Sequence, residues 1–357
     1  MTGPDLSRIS GHFRAQAEAC AEMGSPMYAE LVARLADDID AGGATVQVLE
    51  GHENDSGPSA LALRLAGALH RLVLERRAGE LATCYPSVGG TWDLRAAWPL
   101  LERLLRQHGD EIRARLENPP QTNEIGRASA LTGGLLRIGE VSRLPVRLME
   151  IGSSGGLNLN ADRFAYLEGD RVLQGPVDSP VRLVDCWKGR PVVPWPDLEV
   201  VERVGSDVAP VDVTTTEGRL TLTSYVWSDQ RERLERLRSA FVVAAEHPVE
   251  VRRTDAVSFV RDIELRVGTT TVLWHSVMWQ YLTREDQDAV AARVEELGAA
   301  ATENAPFAHL SAEPARRAPD ADREFLVVLR LWPGGRPRII GATVGHGVPT
   351  TWEGPRE

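Results

Sequence analysis

Three acidic residues of this chain each stand where an apolar or β-branched run stops. They are Glu150 in Met149-Glu-Ile-Gly-Ser-Ser-Gly-Gly156, Asp207 in Val204-Gly-Ser-Asp207, and Asp255 in Arg253-Thr-Asp255. A carboxylate at a strand end can accept two hydroxyl hydrogens at once, which suits a ribose. The glycine-rich turn after Glu150 is followed by a helix-like segment, 157–166, in which Asn158 and Asn160 come first. Strand, tight turn and helix, in that order, form the pocket in which α/β proteins hold a nucleotide-like cofactor. Each feature also has a plainer reading. An acid can simply cap a helix, and a glycine turn can serve packing alone. Asp212, in Pro210-Val-Asp212, rivals Asp207 for the ribose.

A dinucleotide site wants Gly-x-Gly-x-x-Gly, whose middle glycine lets the backbone approach a pyrophosphate. Here that position is Ser154, between Gly152 and Gly156. Its side chain crowds a pyrophosphate and disfavours a nicotinamide cofactor. For proton transfer the candidates are His275, in Leu273-Trp-His-Ser-Val-Met-Trp279, and Glu313, in Ser311-Ala-Glu-Pro314. Histidine titrates near neutrality and can take a proton from a hydroxyl or amine. The plainer alternatives are a histidine bridging strand and loop, and a turn-capping carboxylate. Trp274, Trp279 and Tyr281 are candidates to wall a pocket or to face a cation with their rings. Alternation along a strand sends some of them into the core instead. The three cysteines, Cys20, Cys84 and Cys186, have no metal-ligand spacing.

The elements that must position these groups fall into two textures. Residues 1–140 read as helical: Ile9, Phe13, Ala17 and Cys20 recur at helical spacing, as do Tyr28, Leu31, Val32 and Leu35. Segments 61–75, 98–116 and 123–140 continue the pattern, with Pro119-Pro120 ending the helix at 98–116. From Val146 the texture changes to short strands alternating with helices: strands at 146–151, 200–204, 249–253, 270–277 and 307–310, and helices at 229–246 and 284–301. Alternation of this kind predicts a parallel sheet covered by helices on both faces. Segments 325–331 and 338–344, joined through Pro333-Gly-Gly335, add an antiparallel hairpin. The expectation is therefore an α/β, Rossmann-like domain (141–357) with a mixed seven-stranded sheet and a terminal hairpin. A helical domain (1–140) precedes it, and a β-rich insertion lies at 168–196.

With 357 residues, 43% of them hydrophobic, the chain can bury one large core or two smaller ones. The net charge of −11 opposes the broad basic footprint of a nucleic-acid binder. No apolar run approaches the ~20 residues that cross a bilayer. The first ten residues lack the apolar core of a secretion signal, so a cytoplasmic location is expected. Lys188 is the only lysine among 40 basic residues, a skew that fits a high-GC bacterial genome.

Glu-x-Gly-x-x-Gly-Gly resembles the first motif of class I S-adenosylmethionine-dependent methyltransferases, and the closing hairpin fits the antiparallel strand that ends their sheet. That resemblance implies S-adenosylmethionine as cofactor and a small-molecule substrate. Glu150, Gly152, Ser154, Gly156 and Asn158 would lie along the amino-acid and ribose portion, Asp207 would hold the ribose hydroxyls, and Asp255 would read the adenine. Glu124 and Arg127 would bind the methionine amine and carboxylate, the alternative being a capped helix with a surface ion pair. His275 and Glu313 would be acid or base, with Trp279 and Tyr281 at the substrate; the helical block and the 168–196 insertion would form a lid. Phe13-Arg-x-Gln16, Gln121-Thr-Asn-Glu-x-x-Arg127, Ile151-Gly-Ser-Ser-x-Gly-Leu-Asn-Leu159 and Trp227-Ser-Asp-Gln230 narrow the resemblance. They look like an uncharacterised bacterial family, the domain of unknown function numbered 2332, over residues 9–352. The other class of function left open is a ligand-binding or assembly protein that keeps the fold without catalysis.

Overall fold

A computed structural model describes residues 6–117 and 119–354. Residues 1–5, 118 and 355–357 lie outside the described residues. The chain forms two compact units: Met1–Thr122 with Thr215–Glu235, and Asn123–Thr214 with Arg236–Glu357.

The first unit begins with α1 (Leu6–Glu22), α2 (Pro26–Asp40), α3 (Ala44–Val48), α4 (Leu61–Leu74), α5 (Leu94–Gln107) and α6 (Gly109–Arg115). The Ser25 side chain caps α2 by accepting the Tyr28 amide, and Pro26 fills the first helical position. The predicted helix 98–116 is two helices, because the chain leaves helical geometry at His108 and restarts at Gly109. Its true start is Asp93, whose carboxyl accepts the Arg95 and Ala96 amides. Phe13, Leu31, Leu35, Leu65, Leu69 and Leu101 form the unit's core.

The second unit opens with α7 (Ala128–Gly139), β1 (Val146–Ile151), a three-stranded insertion of β2 (Ala165–Glu168), β3 (Arg171–Gln174) and β4 (Arg182–Val184), then β5 (Trp187–Gly189) and β6 (Val200–Asp207). Helix α7, expected at the end of the N-terminal block, belongs to this unit. The helix predicted at 157–166 is absent. A seven-residue 3-10 turn, Leu157–Arg163, stands there with Asn160 out of helical geometry, and β2 follows. The asparagines explain the difference: Asn158 Nδ2 donates to the Glu124 carbonyl and Asn160 Nδ2 to the His247 carbonyl. Side-chain bonds of this kind compete with a regular helix.

The chain then supplies α8 (Thr216–Ser224) to the first unit and passes through α9 (Arg231–Glu246) back to the second. There follow β7 (Glu250–Arg253), α10 (Ala256–Arg261), β8 (Thr270–Ser276), α11 (Arg284–Ala300), β9 (Phe307–Arg316), β10 (Arg323–Trp332), β11 (Arg338–Thr343) and β12 (Thr350–Trp352). The main sheet has nine strands rather than seven, in the order β5-β12-β11-β10-β9-β8-β1-β6-β7. The extra two, β5 and β12, pair with each other at one edge. The predicted hairpin is present as β10–β11. A second antiparallel pairing, β9 with β10, accompanies it because β9 runs on to Arg316. Glu313 therefore lies inside a strand and not at its end.

From β7 to β9 all strands are parallel, and in chain order they read third, second, first, fourth, fifth. The order reverses between β1 and β8, and in open α/β sheets ligands bind in the crevice beyond the strand ends at such a reversal. Helices α10 and α11 cover the face that carries Met149, Ile151, Val204, Leu273 and Phe307. Helix α7 lies on the opposite face, where Gly134 leaves room for Leu310.

Candidate functional site

At that reversal β1 delivers Glu150. The side chain is 3% exposed, and burial pushes its carboxyl up to about 8, with Asp207 adding and Trp274 and Arg127 opposing. At neutral pH the group is largely protonated. Its register partner on β8 is Trp274. One Glu150 oxygen and the Trp274 indole N–H are both buried without a hydrogen-bond partner, and so are Asn158 Oδ1 and Ser206 Oγ. Buried polar atoms are normally satisfied, so a group of them calls for an explanation. All four sit at the carboxyl ends of β1, β6 and β8 or in the turn that follows β1.

The turn itself alternates left-handed residues: Gly152 and Gly156 at φ +70° and Ser154 at φ +54°. A side chain at Gly152 would start 2.8 Å from Met278 Cβ, and one at Gly156 would start 2.6 Å from Val251 Cγ2. Both glycines thus have a packing duty as well as a conformational one. Asp207 braces the turn. Its two oxygens accept the amides of Ser154 and Ala209, each at 2.9 Å. The ribose role given to Asp207 must share the carboxyl with these amides, each oxygen keeping a second lone pair. Its rival Asp212 accepts the Thr214 amide and hydroxyl at an exposed position.

Asn123 and Glu124 lie against the turn. Asn123 Oδ1 accepts the Leu157 amide at 2.9 Å, and the Glu124 carbonyl accepts Asn158 Nδ2 at 3.1 Å. The Glu124 side chain caps a 3-10 turn by accepting the Gly126 amide. Arg127 donates to the carbonyls of Ser276, at the end of β8, and Gly345. Seven of the expected ligand-binding residues, Glu124, Arg127, Glu150, Gly152, Ser154, Asn158 and Asp207, are therefore linked around one turn, with Gly156 packing its far end. Asp255 is tied up elsewhere: it caps α10, accepting the Ser258 amide at 2.7 Å, and those bonds hold its carboxyl below the usual range.

His275 follows Trp274 on β8, so the two side chains face opposite sides of the sheet. By register His275, His309 and Glu313 share one side. His275 Nδ1 lies 2.8 Å from Glu313 Oε1, and its Nε2 lies 3.0 Å from His309 Nε2. The same Glu313 oxygen accepts the amides of Met278 (3.1 Å) and Trp279 (3.4 Å). Trp279 stacks on the His275 ring at 5.1 Å, while Tyr281 is 43% exposed. Between them Val277 sits at φ +51°, a strained geometry for a β-branched residue. Burial, then the neighbouring His275 and Arg330, hold His309 well below the usual imidazole range, so it is neutral.

These contacts define a clamp. Glu313 gathers His275 and the 277–279 loop, and that loop sets Met278 against Gly152. His309, not foreseen from the sequence, completes it. Its signal was the alternation 309, 311, 313, which places it on the face of Glu313. Among the described residues no cluster of three or more His, Cys, Asp or Glu has the geometry to hold a metal ion, and no helix is long and apolar enough to cross a membrane.

The family described as "Uncharacterized protein conserved in bacteria (DUF2332)" matches residues 10–352. The chain belongs to that family. No curated protein and no solved structure matches it.

Proposed function

We propose that this member of the family is an S-adenosylmethionine-dependent methyltransferase acting on a small molecule. One observation carries the reading: at the point where the strand order reverses, buried Glu150 and Asn158 each present an oxygen with no partner. A ribose hydroxyl both donates and accepts, so it fits the protonated Glu150 carboxyl and the Asn158 amide oxygen alike. The Ser154 side chain at the crowded centre of the turn suits a ligand without a pyrophosphate. When bound, the cofactor would supply a methyl group on a positive sulfonium.

The chain's own residues would bind and position. Glu150 and Asn158 bind hydroxyls; Asp207 holds the turn through the Ser154 amide; Arg127 sets its positive charge near the end of β8. Glu313 and His275 enter as positioning residues, because His309 faces the His275 nitrogen that a direct base would need. Alignment accounts for much of the rate when a reaction joins two bound partners.

Calorimetric titration with S-adenosylmethionine and S-adenosylhomocysteine tests the reading. One site per chain is expected, weakened about tenfold in Glu150→Ala, the scale of one hydrogen bond to a buried acceptor. Absence of both heat and thermal shift with either compound would overturn it. A second reading, a ligand-binding protein without catalysis, is favoured by one fact: Asp255 and His275 both spend their polar atoms on protein partners. It predicts binding without methyl transfer to any metabolite of a cell extract.

A further inference from the structure

The helical unit contains a second set of groups arranged for chemistry, unrelated to the glycine turn. Ser87 lies on a 3-10 turn, Pro86–Val88, and is partly exposed. Its Oγ is 2.8 Å from Nε2 of His70, a fully buried residue of α4. The other ring nitrogen, Nδ1, is 3.1 Å from the main-chain carbonyl of Ser224. Ser228, also fully buried, accepts the Ser87 amide at 3.0 Å and donates its hydroxyl to Ser87 Oγ at 2.9 Å.

Counting donors fixes the protons. A carbonyl can only accept, so His70 Nδ1 carries the hydrogen and Nε2 presents a lone pair. Ser228 already donates to Ser87 Oγ, so the Ser87 hydroxyl hydrogen goes to Nε2. A hydroxyl aimed at an imidazole whose tautomer is locked by a third group is the arrangement of an activated nucleophile. Here the third group is a carbonyl, where a hydrolase triad has a carboxylate.

We infer that Ser87 and His70 form a nucleophile–base dyad for acyl transfer from small, activated esters. Ser87 Oγ attacks the ester carbonyl carbon while its proton passes to His70 Nε2. The bond to the leaving alcohol breaks, and that oxygen takes the proton from His70. Water then attacks the acyl-serine, giving its proton to His70 Nε2, which returns it to Ser87 Oγ as the acid departs. Burial lowers His70 from its ordinary range to about 4, the Ser224 and Val226 carbonyls opposing. Nε2 is therefore free at every pH above about 5, and the base is weak. A reactive ester whose leaving group departs without needing a proton asks least of such a base, hence activated esters.

The test is labelling of the intact wild-type protein with a fluorophosphonate, followed by digestion and mass spectrometry. A covalent adduct on Ser87 is expected, with a burst of nitrophenol from p-nitrophenyl acetate of one equivalent per chain. Ser87→Ala, a small truncation at a partly exposed turn, removes both. His70→Gln slows labelling at least about 100-fold, the usual share of a general base. Wild-type protein that is folded and carries no adduct on Ser87 overturns the inference, as does labelling indifferent to His70→Gln. If His70→Gln fails to fold, the wild-type adduct and burst, each compared with Ser87→Ala, decide alone.

Discussion

Glu150 holds a proton that its unfolded counterpart gives up, and that difference makes it measurable. Its carboxyl is raised from an ordinary 4.5 to about 8 in the folded protein. Between those values the folded state binds the extra proton, so stability falls as pH rises and levels off above about 8. His70 and His309 act with the opposite sign. Their folded values are depressed below 6.5, so the stability they contribute rises with pH through about 6.5 and is constant only above about 7.5. Between about 6.5 and 7.5 the histidines still offset part of this slope, so the difference between wild type and Glu150→Gln isolates Glu150. From about pH 6.5 to 8 the wild-type slope should be more negative than that of Glu150→Gln by about 1 kcal/mol per pH unit, near the limit of one proton. Urea unfolding across that window checks it, and a wild-type slope no steeper than the variant's would refute it. Glu313 gives a second residue-scale prediction. Glu313→Ala strands His275 Nδ1 and the Met278 and Trp279 amides together, at a cost of about 3 kcal/mol. Glu313→Gln keeps an acceptor there and should lose less than half as much.

At the scale of elements, the glycine turn and the 277–279 loop are one construction, since Met278 fills the space a side chain at Gly152 would need. Gly152→Ala meets both a positive φ and that 2.8 Å approach. It should destabilise by about 2–3 kcal/mol, with the strained backbone and the overpacking both contributing. Ligand binding at Glu150 should weaken alongside. A variant as stable as wild type in denaturant melts would show that the loop is not held there. This coupling could not be read in the sequence, because the two partners lie 126 positions apart and the parallel pairing of β1 with β8 brings them together. What was legible followed from strong local pattern: β1, β8, α11, the β10–β11 hairpin and the glycine turn. What was not legible depended on side chains bonding across elements. Asn158 and Asn160 turned a predicted helix into a 3-10 turn and a strand. Asp207 and Asp255 looked alike as acids at strand ends, yet one braces the turn while the other caps α10. The extension of β9 past Leu310, which puts Glu313 within reach of His275, is stabilised by pairing with β10 and not by its own Pro314-containing sequence.

At the scale of the molecule, the two units do not follow chain order, and that has a consequence for dissection. Residues 1–140 look self-contained by periodicity, but the helical unit takes in Thr215–Glu235 from far along the chain. That segment satisfies groups the N-terminal part leaves open. The Asp229 carboxyl accepts the Ser25 hydroxyl at 2.6 Å and the Met27 amide at 3.1 Å, locking the start of α2. Gln230 donates to the Met23 carbonyl. The Ser224 carbonyl faces buried His70, and Glu217 pairs with buried Arg71. Trp227 stacks on Tyr28 at 5.6 Å within the core. The Trp227-Ser-Asp-Gln230 motif is thus a structural staple of the helical unit. Removing the segment leaves a buried imidazole and a buried guanidinium without these partners, and opens the core at Tyr28. Each loss is on the order of 1–3 kcal/mol, and together they rival the ~5–15 kcal/mol that holds a domain folded. A fragment ending at residue 140 should therefore lack a cooperative melt, while the whole chain melts cooperatively. Trp227→Ala in the whole chain should lower stability by about 3 kcal/mol without unfolding it. Circular dichroism melts of the three proteins decide the matter: a sharp transition in the fragment, near that of the whole chain, would mean that Thr215–Glu235 rests on the helical unit without supporting it.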